Sequence, residues 1–356
     1  MQIKQFELSE KSALLSFLKI AYPDNPRHCN AEFWEWHFPK NPFAETDNLP
    51  IWIAKDAGEI VGHLGAIPVK LEISDEQKKA IWILDLVVRP DYRRKGLGKK
   101  LVSAAEQFCP VGLGINTAEQ HAAALLEGLG WKIISKIPRY NKLLFPGEAL
   151  REISKIKPFK SLANVCFALL RPRFVQDFFK EHKNLRFVER FDSSFDDLWR
   201  ESSAQWSCAV AREAATLKWQ YSDQPEKKFD VLGFYDNEKL LGYAVLYFRK
   251  RNSVGTLEKA AITDLFYHPE KPVEVIDQLL RGALQIALER RAGALVTDVL
   301  DSLIEQRLRF FGFNRVKNPL QLLVKSTEHQ TRLYNPTNWF ITRGDSDTSI
   351  FEHPNL

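Results

Sequence analysis

Four short motifs occur twice in this chain, in the same order and at nearly constant separation. "WHFPKNP" from Trp36 is matched by "WQYSDQP" from Trp219, each with its tryptophan six residues ahead of a proline. "EIVGHLG" around Gly62 is matched by "KLLGYAV" around Gly242, "ILDLVVRPD" with Asp85 by "ITDLFYHPE" with Asp264, and "LLEGLGW" by "RLRFFGF". Positions 36 and 219, 62 and 242, 85 and 264, and 130 and 312 lie 183, 180, 179 and 182 residues apart. Short apolar runs match by chance once or twice, but four in register predict a duplication. Each half is then one copy of the same fold, placed at 1–145 and 184–356, with 146–183 between them. In that connecting stretch Pro158 and Pro172 bracket an apolar segment with basic flanks. It reads as a linker helix packed between the copies, or as a basic amphipathic segment able to lie on an anionic membrane surface.

The 356 residues are enough for two domains, each with its own core. A formal charge of +5 could help attract a polyanionic ligand but is too diffuse to indicate nucleic acid. Cys29, Cys109, Cys166 and Cys208 are widely spaced and form no Cys-x-x-Cys pair, so they predict buried, inert thiols rather than a zinc site or a disulfide framework. No signal-peptide pattern opens the chain, and the most apolar stretch, "SLANVCFALL", is about half the length a membrane helix needs. A cytoplasmic location is expected.

Within the first copy, residues 9–20 predict a helix capped by Ser9 that buries Leu14, Leu15, Phe17 and Leu18. A second helix is expected over 30–37. "IWIAKD" and "EIVGHLGAIPVKLEI" predict strands joined by a tight turn at Ala57-Gly58. "KAIWILDLVV" predicts a buried strand stopped by Pro90. A helix from Gly96 to about Phe108, a short strand "VGLGIN", a helix over 118–128 and a strand "WKIISKI" complete the copy. The fold class is mixed α/β, a twisted sheet flanked by helices in each copy.

The turn between the fourth strand and its helix is the chemically pointed feature. Arg93, Arg94, Lys95, Lys99 and Lys100 surround Gly96 and Gly98. A helix start leaves backbone N–H groups without partners and carries partial positive charge. Two glycines let phosphates approach those groups, and the cations add attraction. The arrangement suits a pyrophosphate, although a Gly-x-Gly in a basic turn can equally be a solvated loop.

The hexapeptide Arg93-Arg94-Lys95-Gly96-Leu97-Gly98, after "LVVRPDYR" and before "LVSAAEQF", resembles the Arg/Gln-x-x-Gly-x-Gly/Ala signature of the GNAT acetyltransferase superfamily. Ala122, Leu125, Glu127, Gly130 and Trp131 are similar to its second conserved region. The resemblance covers about 3–140, and it reaches the second half only through the internal repeat. It implies acetyl-CoA as cosubstrate. Backbone groups along Leu86, Val87 and Val88 would pair with the pantetheine arm, and the motif opened by Arg93, with the amides of Arg94 through Lys99, would hold the phosphates. A backbone N–H of that strand would stabilise the oxyanion while an amine attacks the thioester.

Asp85 and His63 are the candidate proton acceptors, and Tyr22, Trp34 and Trp36 are candidate acceptor-side aromatics that could equally be core. The tyrosine that protonates the leaving thiolate in many family members is replaced by Leu126, with Tyr22 and Tyr140 as conceivable substitutes. The second copy has no Gly-x-Gly, and Val273 and Val275 are expected to block phosphate approach there. Asp345 and Asp347 have the spacing of a metal pair, but in a Gly/Ser turn they read as solvated, so no metal is expected. The tail "NWFITRGDSDTSI" is similar to those of tandem GNAT-like proteins of surface-polysaccharide assembly.

These readings combine into an acetyl transfer from acetyl-CoA to the amine of a small molecule or sugar, carried by the first copy. An acyl-CoA-binding module without turnover and an aminoacyl transferase of the Fem type are the alternatives. The intact phosphate turn speaks against the latter.

Overall fold

The computed structural model describes residues 1–74, 76–117, 121–145, 184–225, 228–249, 259–317 and 320–346. The expected linker at 146–183, Cys166 and Asp347 lie outside them. The first half supplies β1 (Gln2–Gln5), β2 (Ile51–Asp56), β3 (Glu59–Ile73), β4 (Glu76–Val88), β5 (Val111–Thr117), β6 (Lys132–Lys136) and β7 (Arg139–Leu143). The second supplies β8 (Leu185–Phe187), β9 (Cys208–Val210), β10 (Phe229–Asp236), β11 (Lys239–Arg249), β12 (Lys259–Tyr267), β13 (Ala294–Leu300), β14 (Asn314–Val316), β15 (Leu320–Ser326) and β16 (Trp339–Thr342). The main helices are α1 (Lys11–Ala21), α2 (Ala31–His37), α3 (Leu97–Phe108), α4 (His121–Gly128), α5 (Ser193–Ser202), α6 (Ala214–Leu217), α7 (Pro272–Glu289) and α8 (Ser302–Phe310).

Matching elements recur in the two halves. β2, β3 and β4 form an antiparallel meander, as do β10, β11 and β12. β4 then pairs in parallel with β5, and β12 with β13. α3 packs against β2, β3 and β4, and α7 against β10, β11 and β12. A glycine admits each helix: a Cβ on Gly62 would stand 3.3 Å from Leu101, and one on Gly242 would stand 2.4 Å from Val275.

The halves also exchange strands. β15, from the second half, lies antiparallel between β5 and β6 of the first. β7, from the first half, lies antiparallel between β13 and β14 of the second. Each visitor carries a lysine that caps a helix end in its host: Lys325 Nζ donates to the Leu129 carbonyl at 2.7 Å, and Lys142 Nζ to the Phe311 carbonyl at 2.6 Å. Arg139 on β7 grips Asp298 of β13 through two bonds of 2.7 and 3.0 Å.

Between these crossings β3, β9, β16 and β13 pair in turn, so one sheet runs through both halves. The repeated tryptophans meet at this seam. Trp36 and Trp219 stack with centroids 5.2 Å apart. Each indole N–H donates to the other residue's carbonyl, at 2.7 and 2.8 Å. Two large apolar rings are thereby buried with their polar handles satisfied.

Local expectations fare well where composition is decisive. Ala57 and Gly58 both have positive φ, and Asp56 opposes Glu59, which gives the two-residue turn its twist-compatible form. Leu14, Phe17 and Leu18 are the buried face of α1. Ser9 does not cap it: a short 3-10 turn at Leu8–Glu10 leads in, and Glu7 and Glu10 bond each other's backbone instead. Cys109 and Cys208 are buried free thiols, while Cys29 is partly exposed. No helix among the described residues is long and apolar enough to cross a membrane.

Trp219→Ala removes a buried ring and its indole bond to the Trp36 carbonyl, while the backbone carbonyl that accepts from Trp36 remains. Unfolding in urea is expected to show a loss of about 3–5 kcal/mol, and an unchanged midpoint would contradict the seam described above.

Candidate active site

β4 bulges once. Along β3, His63 opposes Val87 and Gly65 opposes Leu84, so Leu64 alone faces the two residues Asp85 and Leu86. Asp85 takes the left-handed φ of 54° that such a bulge accommodates. Strand alternation would set Leu84 and Asp85 on opposite faces. The bulge brings both to the face covered by α1 and α2: Leu84 joins the core cluster that holds Trp34 and Phe33, and the Asp85 carboxylate meets His28.

Beyond the bulge one edge of β4 is open. β5 pairs with β4 only at Ile81 and Trp82, opposite Gly112 and Leu113, so no described strand lies against that edge from Ile83 to Val88. An extended ligand could lie along it. Leu86 and Val88 turn their side chains to the α3 layer and Val87 turns the other way, so their backbone groups line this edge. The Arg93 guanidinium reaches back to the Val88 carbonyl at 3.1 Å.

Just past this edge, the turn has the character of an anion cradle. Arg94 and Gly96 have φ of 62° and 77°. Among the described residues, nothing accepts from the amides of Arg94, Lys95, Gly96, Leu97, Gly98 or Lys99, and α3 has no side-chain cap. None of Arg93, Arg94, Lys95, Lys99 and Lys100 is in an ion pair among those residues. A Cβ on Gly96 would meet nothing within 4 Å, so the space outside the turn is clear. Successive unpartnered amides with a left-handed residue between them form an anion-binding concavity. Gly98 has a packing role as well, since its Cβ would press on Leu125 at 3.1 Å.

The expected catalytic pair sits beneath the bulge. His63 is fully buried, and its Nδ1 lies 3.0 Å from the Asp85 carbonyl. A carbonyl only accepts, so Nδ1 carries the proton and His63 holds the bulge in place. Its Nε2 has no hydrogen-bond partner among the described residues. The sequence reading missed His28 and His37. His28 Nδ1 stands 3.4 Å from the Asp85 carboxylate, and its ring stacks on Tyr22 with centroids 4.0 Å apart. Burial pulls the His37 imidazole down to about 4, against the attraction of Asp85, and lowers His63 as well. Burial would raise Asp85, but His28, first by its charge and then by its hydrogen bond, holds the carboxyl below its ordinary value.

Trp34 and Trp36 correct an expectation. They are 2% and 1% exposed, locked in the core and the seam, and have no surface to offer an acceptor. On the same sheet face, Trp82 and Trp219 line a cavity at the seam together with Ile67, Arg212, Thr216 and Asp264. Tyr140 is also removed: its strand has crossed to the second half, where its hydroxyl bonds Glu305 and Arg309. Leu126 is buried beneath α3.

The second half repeats the bulge with other contents. Val245 opposes Asp264 and Leu246 opposes Ile262, leaving Thr263 as the extra residue. Asp264 is clamped by Arg212, Tyr243 and Thr342, and Arg212 also bonds Asp345 at 2.8 Å. Asp345 is therefore an ion-pair partner, and among the described residues no group of His, Cys, Asp and Glu converges to hold a metal ion. α7 opens with Pro272, which has no amide hydrogen, and carries Glu274 in its first turn. Val275 is buried against Gly242 and Val273 points to solvent, so proline and an acid, more than the valines, make this helix start unlike that of α3.

Residues 12–131 match the acetyltransferase (GNAT) family. This part of the chain resembles that family. Two mouse proteins, N-acetyltransferase family 8 members 3 and 7, are each 36% identical to this chain over 87 residues. Those matches take in 23% of this chain and 38% and 37% of the relatives, so the chain spans well under half of their length. Solved structures resemble nearly the whole chain. N-myristoyltransferase of Saccharomyces cerevisiae with bound myristoyl-CoA superposes with a TM-score of 0.59 at 12% identity, covering 91% of this chain and 82% of that one. A probable N-acyltransferase of Enterococcus faecalis gives 0.60 at 13% identity, covering 96% and 82%. At such identities the likeness is one of fold. The matched segment holds the open edge, the cradle and the Asp85 cluster together.

The unfolded His37 imidazole takes its proton near 6.5 and the folded one near 4, so the unfolded state binds more protons between these values. The stabilisation is complete above pH 6.5 and is lost as pH falls towards 4, by about 3 kcal/mol for this group. Urea midpoints followed from pH 7 to 4 are expected to fall less in His37→Phe than in wild type. Identical pH dependence in both would contradict a buried, neutral His37.

Proposed function

We propose that the chain transfers an acyl group from an acyl-CoA to an amine, and that the first half carries the reaction. The carrying observation is the run of unpartnered amides from Arg94 to Lys99 at the end of an open strand edge. Those amides and the neighbouring cations hold the pyrophosphate, and the backbone along Leu86, Val87 and Val88 pairs with the pantetheine arm. The thioester carbonyl then lies near the bulge, where a β4 amide stabilises the oxyanion as it forms. The described residues fit such a donor, since the cradle is clear of side chains and of internal anions.

We assign acetyl-CoA as the donor, in keeping with the acetyltransferase relatives, and the amine of a small molecule or sugar as the acceptor. The acceptor approaches on the α1–α2 face of β4, towards the seam cavity at Trp82 and Trp219. The second half, with Pro272 and Glu274 at its helix start, binds no acyl-CoA and instead walls this cavity with Arg212 and Asp264. Residues 1–145 and 184–356 act as the donor-binding and acceptor-shaping parts.

Incubation with acetyl-CoA, or with myristoyl-CoA, and a panel of amines should release free thiol only when an amine is present, and fastest with the acetyl donor. Donor binding without amine-dependent release would identify a binding module instead. Gly96→Glu places a side chain and an anion in the cradle, at a φ that glycine prefers. Calorimetry is expected to show at least a roughly 100-fold loss of acyl-CoA affinity, about 2.7 kcal/mol, with circular dichroism unchanged. Unaltered affinity would move the donor site elsewhere.

A further inference from the structure

We propose that His28, oriented by Asp85, is the general base that takes the proton from the attacking amine. The proposal rests on the acyltransferase reading above and names the group that carries its proton.

The ring of His28 is fixed on two sides. Its Nδ1 faces the Asp85 carboxylate at 3.4 Å, and its plane lies on Tyr22 with an interplanar angle of 17°. Nε2 is then the nitrogen turned away from the carboxylate. An imidazole backed by a carboxylate has its tautomer and orientation set, and the cation formed on protonation is stabilised.

The neighbouring groups are less suited. A carboxyl held below its ordinary value, as Asp85 is, accepts a proton from an amine poorly near neutral pH. His63 is fully buried with Nδ1 committed to the Asp85 carbonyl, and His37 is kept neutral down to about 4. Among the described residues the titratable groups around His28 include Asp85 from β4, His63 from β3, His37 from α2 and Tyr22 just after α1.

The second half supplies an internal comparison. Tyr243 follows Gly242 as His63 follows Gly62, and its hydroxyl donates to Asp264 at 2.9 Å. Arg212 stands to Asp264 as His28 stands to Asp85, with Nε 3.3 Å from a carboxylate oxygen. One scaffold thus holds a carboxylate against an imidazole in one half and against a guanidinium in the other. A guanidinium does not give up its proton in a protein, so that version cannot act as a base.

The atoms balance without any further reagent. The neutral amine attacks the thioester carbonyl, forming the C–N bond as the π pair moves to oxygen. The nitrogen passes a proton to His28 Nε2, and collapse of the tetrahedral intermediate breaks the C–S bond. The thiolate then takes up the proton from the imidazolium, directly or through water, giving an amide and free CoA. This return of the proton supplies the acid that Leu126 cannot.

The test compares wild type with His28→Gln, His28→Arg and Asp85→Asn, reading donor affinity by calorimetry and turnover by thiol release. Both His28 variants are expected to bind acyl-CoA within about twofold of wild type while kcat falls by about 100-fold or more. The rise of kcat/KM with pH on the acid side should disappear in His28→Gln. Asp85→Asn should retain a weaker version of that limb, because the ring loses the carboxylate that orients it. Wild-type kcat and an unchanged pH profile in His28→Gln would overturn the proposal while leaving the acyltransferase reading intact. A wild-type chain that binds no acyl-CoA would overturn that reading, and the role of His28 with it.

Discussion

One extra residue in β4 governs what stands on either side of it. The bulge at Asp85 breaks the alternation of the strand, so that Leu84 and Asp85 share a face and the carboxylate is delivered to the α1–α2 side. Past it, Leu86 to Val88 resume the strand with one edge unclaimed by β5. The bulge needs its own support, because a non-glycine residue at a φ of 54° is strained. His63 provides that support by binding the Asp85 carbonyl, and His28 Nδ1 stands 3.4 Å from the buried carboxylate. Backbone strain, a buried charge and an unpaired edge are concentrated within four residues, as expected where a scaffold sacrifices local stability for a site.

The second half carries the same device with its carboxylate fully enclosed. Its bulge at Thr263 is preserved, yet Asp264 is enclosed by Arg212, Tyr243 and Thr342, and a second carboxylate, Asp345, completes the neutralisation. Fully paired buried charges rigidify a core, whereas an imidazole against a carboxylate leaves one proton free to move. The helix starts diverge in the same sense. α3 offers a row of amides to solvent, while α7 begins with a residue that has none and follows it with an acid.

Much of this was legible in the sequence, and the exceptions have a common cause. The paired landmarks, the hairpin at Ala57-Gly58 and the cationic turn are local patterns of residue type, and composition alone exposes them. The Asp85 cluster is not local. No glycine marks the bulge, so alternation misplaces the Asp85 side chain by a face. His28 and His37 arrive from a 3-10 turn and a short helix whose approach to β4 has no periodic signature. Trp34 and Trp36 were ambiguous for the complementary reason: an aromatic next to a cleft and an aromatic beneath it read alike until burial separates them. The repeat held an unused clue, since it aligns His63 with Tyr243 and His28 close to Arg212, pairing polar residues at positions where an apolar core would be the default.

Strand exchange ties the second half to the cradle proposed for the donor. β6 has no partner among the described residues except β15, and β15 also covers the whole length of β5. Without it two edges of that sheet would be exposed, one of them on the strand that diverges from β4. Lys325 on the same strand fixes the end of α4, which in turn packs Leu125 against Gly98 beneath the cradle. The unpartnered amides of the turn are thus held in position by a strand that arrives some two hundred residues later in the chain.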